Sequence, residues 1–181
     1  PKTSLPTPQC QATTKKDSKN NAIHPKVENP PHPTQKNQEI IATLREEFPK
    51  TECSLLYSDA WQLLVATVLS AQCTDARVNK VTPGLFEQFP TPQHFTDAPI
   101  EEIEEAIHST GFYRNKSKSL KGAAVRIITE HNGEVPNTMK QLIKVPGVGR
   151  KTANVVLGEI WNTPEGMVVD THVGRITRKL G

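Results

Sequence analysis

The sequence predicts an all-α fold. No stretch alternates apolar and polar residues at period two, the pattern that a half-buried strand requires. Apolar residues instead recur three and four positions apart in several segments. Those segments are short and bracketed by residues that start and stop helices.

The elements follow in order. Residues 1–34 are rich in Pro, Lys, Thr, Asn and Gln and nearly free of large apolar side chains. Burial cannot offset the entropy of ordering such a segment, so a disordered tail is expected. Thr34 suits an N-cap, and Ile40, Ile41, Leu44 and Phe48 then fall on one helix face. Asp59 with Gln62 reads as a capping box opening a helix over Ala60–Gln72. That helix is apolar almost all round, as a central buried helix is. Thr74 or Asp75 starts the next, with Val78, Val81 and Leu85 inward, and Pro83 is expected to kink or end it.

Asp97 and Pro99 open a short helix carrying Ile100, Ile103 and Ile107, which Gly111 closes. Asn115 opens another, with Leu120, Ala124, Ile127 and Ile128 inward and Asn132-Gly133 as its stop. Asn137 caps Thr138–Ile143, Pro146–Gly149 forms a tight turn, and Arg150–Trp161 is helical. After a loop over Asn162–Gly166, Met167–Val169 is extended, and Asp170 N-caps a last helix.

The chain has 181 residues, enough for one ordinary domain or two small ones sharing a core. Only 35% of them are hydrophobic, so much of the chain is expected outside a core. The longest nearly uncharged apolar stretch, Trp61–Gln72, is too short to cross a bilayer. No charged segment followed by an apolar run opens the chain, so no signal peptide is read. A bacterial-type cytoplasm, at the nucleoid, is the expected location. The three cysteines, Cys10, Cys53 and Cys73, are odd in number and form no CxxC. Neither a disulfide framework nor a metal site is expected from them, and a reducing compartment fits. The chain opens at Pro1 without Met, so a processed chain or a fragment is expected.

The net charge of +3 conceals an uneven distribution. Residues 1–36 carry +4 and residues 37–181 carry −1. Within the latter, Asp97, Glu101, Glu102, Glu104 and Glu105 form an acidic block, and residues 111–151 then carry +7. Such a stretch can form a cationic face for a nucleic acid or simply a solvated helix surface. Charge alone leans slightly to the second.

The most informative stretch is Leu142–Lys151, where a short helix meets Pro146-Gly147-Val148-Gly149 and a second helix follows. The glycines allow backbone angles that other residues resist and leave amide N–H groups uncovered. At a helix N-terminus those groups form an anion site, which a DNA phosphate fits without sequence readout. Pro146, Gly147, Val148, Gly149, Arg150 and Thr152 are therefore expected at a DNA backbone.

Val145–Val156 resembles the helix-hairpin-helix motif of the endonuclease III family of DNA glycosylases and AP lyases. Val169-Asp-Thr-His-Val173 resembles the segment bearing that family's catalytic aspartate, and Leu69–Asp75 and His131–Pro136 match its pattern too. The resemblance runs from about Gln38 to Gly181 in the family's order and spacing. It implies a helix-hairpin-helix glycosylase fold, with a helical domain over 51–164 and its hairpin unit at about 138–161. Residues 35–50 and 165–181 would be parts of a second, truncated helical domain.

The resemblance further implies a base-excision repair enzyme, acting as a monomer on double-stranded DNA with no role for a membrane. It would remove oxidised pyrimidines and cleave at abasic sites. Lys151 matches the nucleophile, whose neutral amine would attack the sugar C1′; the positive end of the helix dipole is expected to favour that neutral form. Asp170 matches the second catalytic residue, which would stabilise cationic charge on the sugar and assist proton transfers. Gln72 matches a residue that fills the gap left by a flipped nucleotide. Phe112 lies where the family places an apolar wedge. Thr171 and His172 are weaker candidates for the pocket.

The family also implies a [4Fe–4S] cluster held by four closely spaced cysteines well after the aspartate. This chain stops eleven residues past Asp170 and lacks those cysteines, so a fragment of a cluster-binding parent is expected. Two alternatives stay open: a non-catalytic helix-hairpin-helix clamp, and the adenine-mismatch branch of glycosylases. Asp170 speaks against the first, because a pure phosphate clamp has no use for a nearby carboxylate. Lys151 speaks against the second, which generally lacks a lysine there. The 8-oxoguanine branch keeps one, but Thr152–Val156 fits the pyrimidine branch better. A plain helical scaffold leaves the hairpin glycines and the +7 stretch without a use.

Overall fold

The computed structural model describes residues 34–50 and 52–180. Residues 1–33 of the expected tail, Cys10 among them, lie outside the described residues. The chain divides into two units, Pro1–Lys50 and Thr51–Gly181. Every regular element among the described residues is helical.

In the first unit, α1 (Gln35–Glu47) starts at Thr34, whose Oγ1 accepts the Asn37 N–H at 3.3 Å. No residue of α1 is buried.

The second unit is built around α2 (Ala60–Leu69), of whose ten residues seven are buried. Asp59 caps it, its Oδ1 accepting the Gln62 N–H at 2.8 Å. Gln62 reaches back to accept the Ser58 N–H at 3.0 Å, one residue beyond the reciprocal bond that a capping box makes. Trp61 packs edge-on against Phe95, ring centroids 5.2 Å apart. Its Nε1 has no hydrogen-bond partner among the described residues, so the indole is held by packing.

The structure ends α2 three residues before the expected Gln72. Gln72 has φ +54°, outside any right-handed helix. Next comes α3 (Asp75–Gln88), capped by Thr74, whose side chain accepts the Arg77 N–H at 3.3 Å. It runs through Pro83 rather than ending there. Pro83 lies on the exposed face, and burial of Val78, Thr82 and Leu85 on the other face holds both flanking turns. A short helix α4 (Pro92–Asp97) follows, which the sequence reading lacks; Pro92 opens it and Phe95 is fully buried.

Pro99 borders α5 (Ile100–Ile107), and a 3₁₀ turn over His108–Thr110 leads to Gly111 at φ +71°. Then α6 (Tyr113–His131) begins two residues before the expected Asn115, with Phe112 at φ +48° as its boundary. It ends at Asn132 and Gly133, both left-handed, and the Gly133 N–H reaches the Ile127 carbonyl at 3.0 Å. Thr138, not Asn137, borders α7 (Met139–Leu142), which is shorter than expected. The last two helices, α8 (Arg150–Trp161) and α9 (Thr171–Leu180), start where the sequence places them.

In this unit α2 packs against α3, α6 and α8, α6 also carries α4 and α5, and α7 lies on α8. Leu63, Leu64, Leu69, Ile103, Ile107, Leu120, Ile127 and Leu142 are fully buried between these layers. Each contributes about 1.5–3 kcal/mol relative to exposure. That packing sets the hairpin before α8, the start of α6 and the end of α2 in fixed positions.

Candidate functional site

The hairpin between α7 and α8 is a type II turn. Pro146 takes its first central position, Gly147 its second at φ +78°, and the Val148 N–H reaches the Val145 carbonyl at 3.0 Å. A Cβ on Gly147 would stand 2.7 Å from the Ser119 Cβ of α6, so the glycine also permits close packing there. Gly149 behaves differently. Its φ is −90°, which any residue adopts, and a Cβ there would meet nothing within 4 Å. The expectation that both glycines serve special backbone angles is corrected for Gly149. As the boundary residue of α8 it supplies no side-chain cap, so the first-turn N–H groups stay uncovered. Gly149, Arg150 and Lys151 are exposed, Pro146 and Thr152 are half-buried, and Val148 anchors the turn in the core.

Lys151 and Asp170 line one cleft of about 670 Å³. Lys151 stands in the first turn of α8. Asp170 caps α9, its Oδ1 accepting the Val173 N–H at 2.7 Å. That bond above all holds the Asp170 carboxyl below its ordinary value of 3.8; the His172 N–H and the charges of His172 and Lys151 act the same way, against partial burial. Two polar ties place the cleft walls. Buried Asn154 of α8 accepts the Glu165 N–H at 2.9 Å, fixing the loop that leads to Asp170. Asn79 of α3 donates to the Ser54 carbonyl at 2.7 Å and accepts the Leu56 N–H at 3.0 Å, fixing the segment before α2.

The same cleft holds residues that the sequence reading did not single out for a site. Glu52 and Glu159 add carboxylates, and the Ser54 hydroxyl donates to Asp75. Burial pushes the Cys53 thiol up, so it stays protonated there. Thr171 and His172 are exposed and do not line this cleft.

Gln72, Phe112 and Gly147 meet at a second, smaller cleft of about 300 Å³. Gln72 and Phe112 are both left-handed, at φ +54° and +48°. Neither residue type favours that region, and each costs about 1–3 kcal/mol there. Phe112 is 65% exposed, an unusual state for a phenyl ring. Strained backbone and an exposed aromatic thus share one opening with the hairpin.

Three of the nine bases in the +7 stretch turn to protein partners. Lys116 is buried, Lys121 donates to the Thr96 and Ala98 carbonyls, and Arg126 donates to Glu130 and the Lys144 carbonyl. The other six bases, Arg114, Lys118, Lys140, Lys144, Arg150 and Lys151, are exposed.

A [4Fe–4S] cluster needs four thiolates, and this chain has three cysteines. Cys53 lies in the segment before α2, and Cys73 follows α2 with its Sγ directed to the Thr74 carbonyl. The described residues form no group of three or more ligating side chains. The residues present do not fit the cluster. Among the described residues, no helix is long and apolar enough to cross a membrane.

Residues 65–181 match the model of the HhH-GPD superfamily of base excision DNA repair proteins. The chain belongs to that superfamily. Within it, the chain is 52% identical over 147 residues to endonuclease III of Synechocystis sp., a match covering 81% of this chain and 67% of that protein. It is 47% identical over 134 residues to endonuclease III of Bacillus subtilis, covering 74% and 61%. These matches place it in the endonuclease III family. The chain spans about two-thirds of the length of the curated relatives it matches.

Among solved structures, a non-covalent endonuclease III–DNA complex superimposes with a TM-score of 0.75 at 44% identity, over 80% of this chain and 68% of that one. A trapped endonuclease III–DNA covalent intermediate matches equally. A thermostable thymine-DNA glycosylase at 22% identity and a TM-score of 0.69 shares the fold.

Proposed function

We propose that this endonuclease III family member supplies the DNA-binding and reacting part of a base-excision repair glycosylase and AP lyase acting on oxidised pyrimidines. The observation that carries this reading is the placement of Lys151 and Asp170 on one cleft, beside a hairpin whose helix start is uncovered. The solved relatives described as DNA complexes support it.

The chemistry follows from those side chains. The hairpin N–H groups hold a DNA phosphate, and the damaged nucleotide leaves the stack and enters the cleft. The Lys151 amine attacks the sugar C1′. The N-glycosidic bond breaks, and the base leaves with the bonding pair and takes up a proton. The attached nitrogen loses a proton, the C1′–O4′ bond opens with its pair and a proton going to O4′, and an iminium results. Removal of a C2′ proton then drives β-elimination, which breaks the C3′–O bond and releases the 3′ phosphate. Water hydrolyses the iminium and returns Lys151. Asp170, an anion held by the α9 N–H groups, lies where positive charge develops on the sugar. Gln72 and Phe112 fill the space the nucleotide vacates. Residues 35–50 and 165–181 would be parts of a second helical domain.

The test is a borohydride trap. The full chain is incubated with duplex DNA carrying one thymine glycol, with Lys151→Ala beside it. A covalent protein–DNA band present for the wild type and absent for the variant is expected. Binding to DNA with no band from the wild type would leave a phosphate clamp and overturn the enzyme reading for this chain.

A further inference from the structure

Lys116 is the least expected residue near the proposed site. It belongs to the +7 stretch, yet it is only 5% exposed, in the first turns of α6. Its ammonium donates to the Leu69 carbonyl at 2.8 Å and to the Thr110 carbonyl at 2.9 Å. No carboxylate forms an ion pair with it among the described residues. Burial lowers its basicity, opposed only by the nearby Cys73. A buried cation held by carbonyls alone is an expensive way to fill space, which a methionine would fill without a charge to desolvate.

The two carbonyls show what the charge does. Leu69 is the last residue of α2, and its carbonyl is among those a helix end leaves without an intrahelical donor. A cation there is also favoured by the helix dipole. Thr110 ends the 3₁₀ turn, two residues before Phe112. Gln72 lies three residues after Leu69. The ammonium therefore bridges the roots of the two loops whose side chains, Gln72 and Phe112, open on one cleft from strained backbones. A strained loop persists only where its surroundings over-determine it.

We propose that Lys116 is a positioning residue that ties the Gln72 loop to the Phe112 loop and so sets the span these side chains bridge when a nucleotide leaves the duplex. This rests on the reading of the site under Proposed function. Lys116 lines the same cleft, but its ammonium is taken by the two carbonyls, and it acts through the loops.

The test compares four full-length chains: wild type, Lys116→Met, the double variant Gln72→Ala/Phe112→Ala, and the triple variant. The probes are a duplex with a stable tetrahydrofuran abasic analogue opposite 2-aminopurine, and the same duplex intact. Lys116→Met is expected to weaken abasic binding about tenfold and to shrink the 2-aminopurine signal, while intact-duplex binding stays within about twofold. On the double-variant background the same change is expected to have less than about a twofold effect, because the coupled side chains are gone. Amide exchange in the free protein should quicken about tenfold or more at residues 71–73 and 111–113, with residues 64–68 unchanged.

Equal weakening on both duplexes, full additivity, or unchanged loop exchange would each overturn the proposal. If Lys116→Met does not fold, Lys116→Gln takes its place, a neutral donor with shorter reach and the same expected directions. A wild type that binds both duplexes alike would sink the functional reading instead, and the exchange comparison would still decide whether Lys116 holds the loops.

Discussion

The helix starts of the second unit differ in kind. At α2 and α3 a side-chain oxygen, from Asp59 and Thr74, accepts a first-turn N–H. At α6 and α8, both longer than ten residues, the boundary residues Phe112 and Gly149 supply no such bond. The short helices α4, α5 and α7 also lack side-chain caps, so bareness alone marks nothing. At α6 it coincides with a left-handed, exposed phenylalanine, and at α8 with an exposed hairpin. The start of α9 combines both kinds, since Asp170 satisfies its helix and lines the cleft. A capped start completes the fold, whereas the uncovered start of α8, beside its hairpin, leaves donors open to a ligand.

Asp170→Asn should separate the two duties of that residue. Asparagine caps a helix as well as aspartate does, so stability at neutral pH should hold. Lesion processing should fall by about 10²–10⁴-fold, as for a lost general acid–base or charge-stabilising group. Single-turnover kinetics with a thymine glycol duplex measures it, and a rate within tenfold of wild type would remove Asp170 from the chemistry.

The two hairpin glycines give the next contrast. Gly147→Ala places a methyl 2.7 Å from Ser119 at φ +78°. It should cost about 1–3 kcal/mol of stability, read by denaturant unfolding. Gly149→Ala meets nothing within 4 Å and should change stability by less than about 0.5 kcal/mol. A methyl there occupies the open space through which a phosphate would approach the helix start, however, and should weaken DNA binding about tenfold, or 1.4 kcal/mol. Equal effects of both changes on both measurements would erase the distinction.

Smaller effects belong to the structural caps and to pH. Thr74→Ala should cost about 1 kcal/mol and leave lesion processing unchanged. Because the folded Asp170 carboxyl lies below its ordinary 3.8, its contribution is fully present above that value. It is lost as pH falls through the lowered folded value. Amide exchange at Val173 should quicken over that acid range in the wild type and show no such step in Asp170→Asn.

Local rules made most helix starts legible. Thr34, Asp59 and Asp170 are N-cap residues before apolar periodicity, and each caps where the sequence places it. Pro146-Gly147 carries its turn type in its residue identities. Six residues are too few for periodicity to show, so α4 leaves no helical signature in the sequence. Gln72 ends α2 early by adopting a conformation its residue type does not favour, and only packing around it can impose that. Lys116 reads as one surface base among nine; what buries it are carbonyls 47 and 6 residues away in the chain, which no local pattern shows.

The inward turn of those cations changes how a polyelectrolyte would meet this surface. Lys116, Lys121 and Arg126 already bond protein carbonyls, so they displace no condensed counterions when a duplex arrives. Six exposed bases of residues 111–151 are left to do so. With about 0.9 ions released per neutralised phosphate, this stretch can contribute a log–log salt slope no steeper than roughly −5.4.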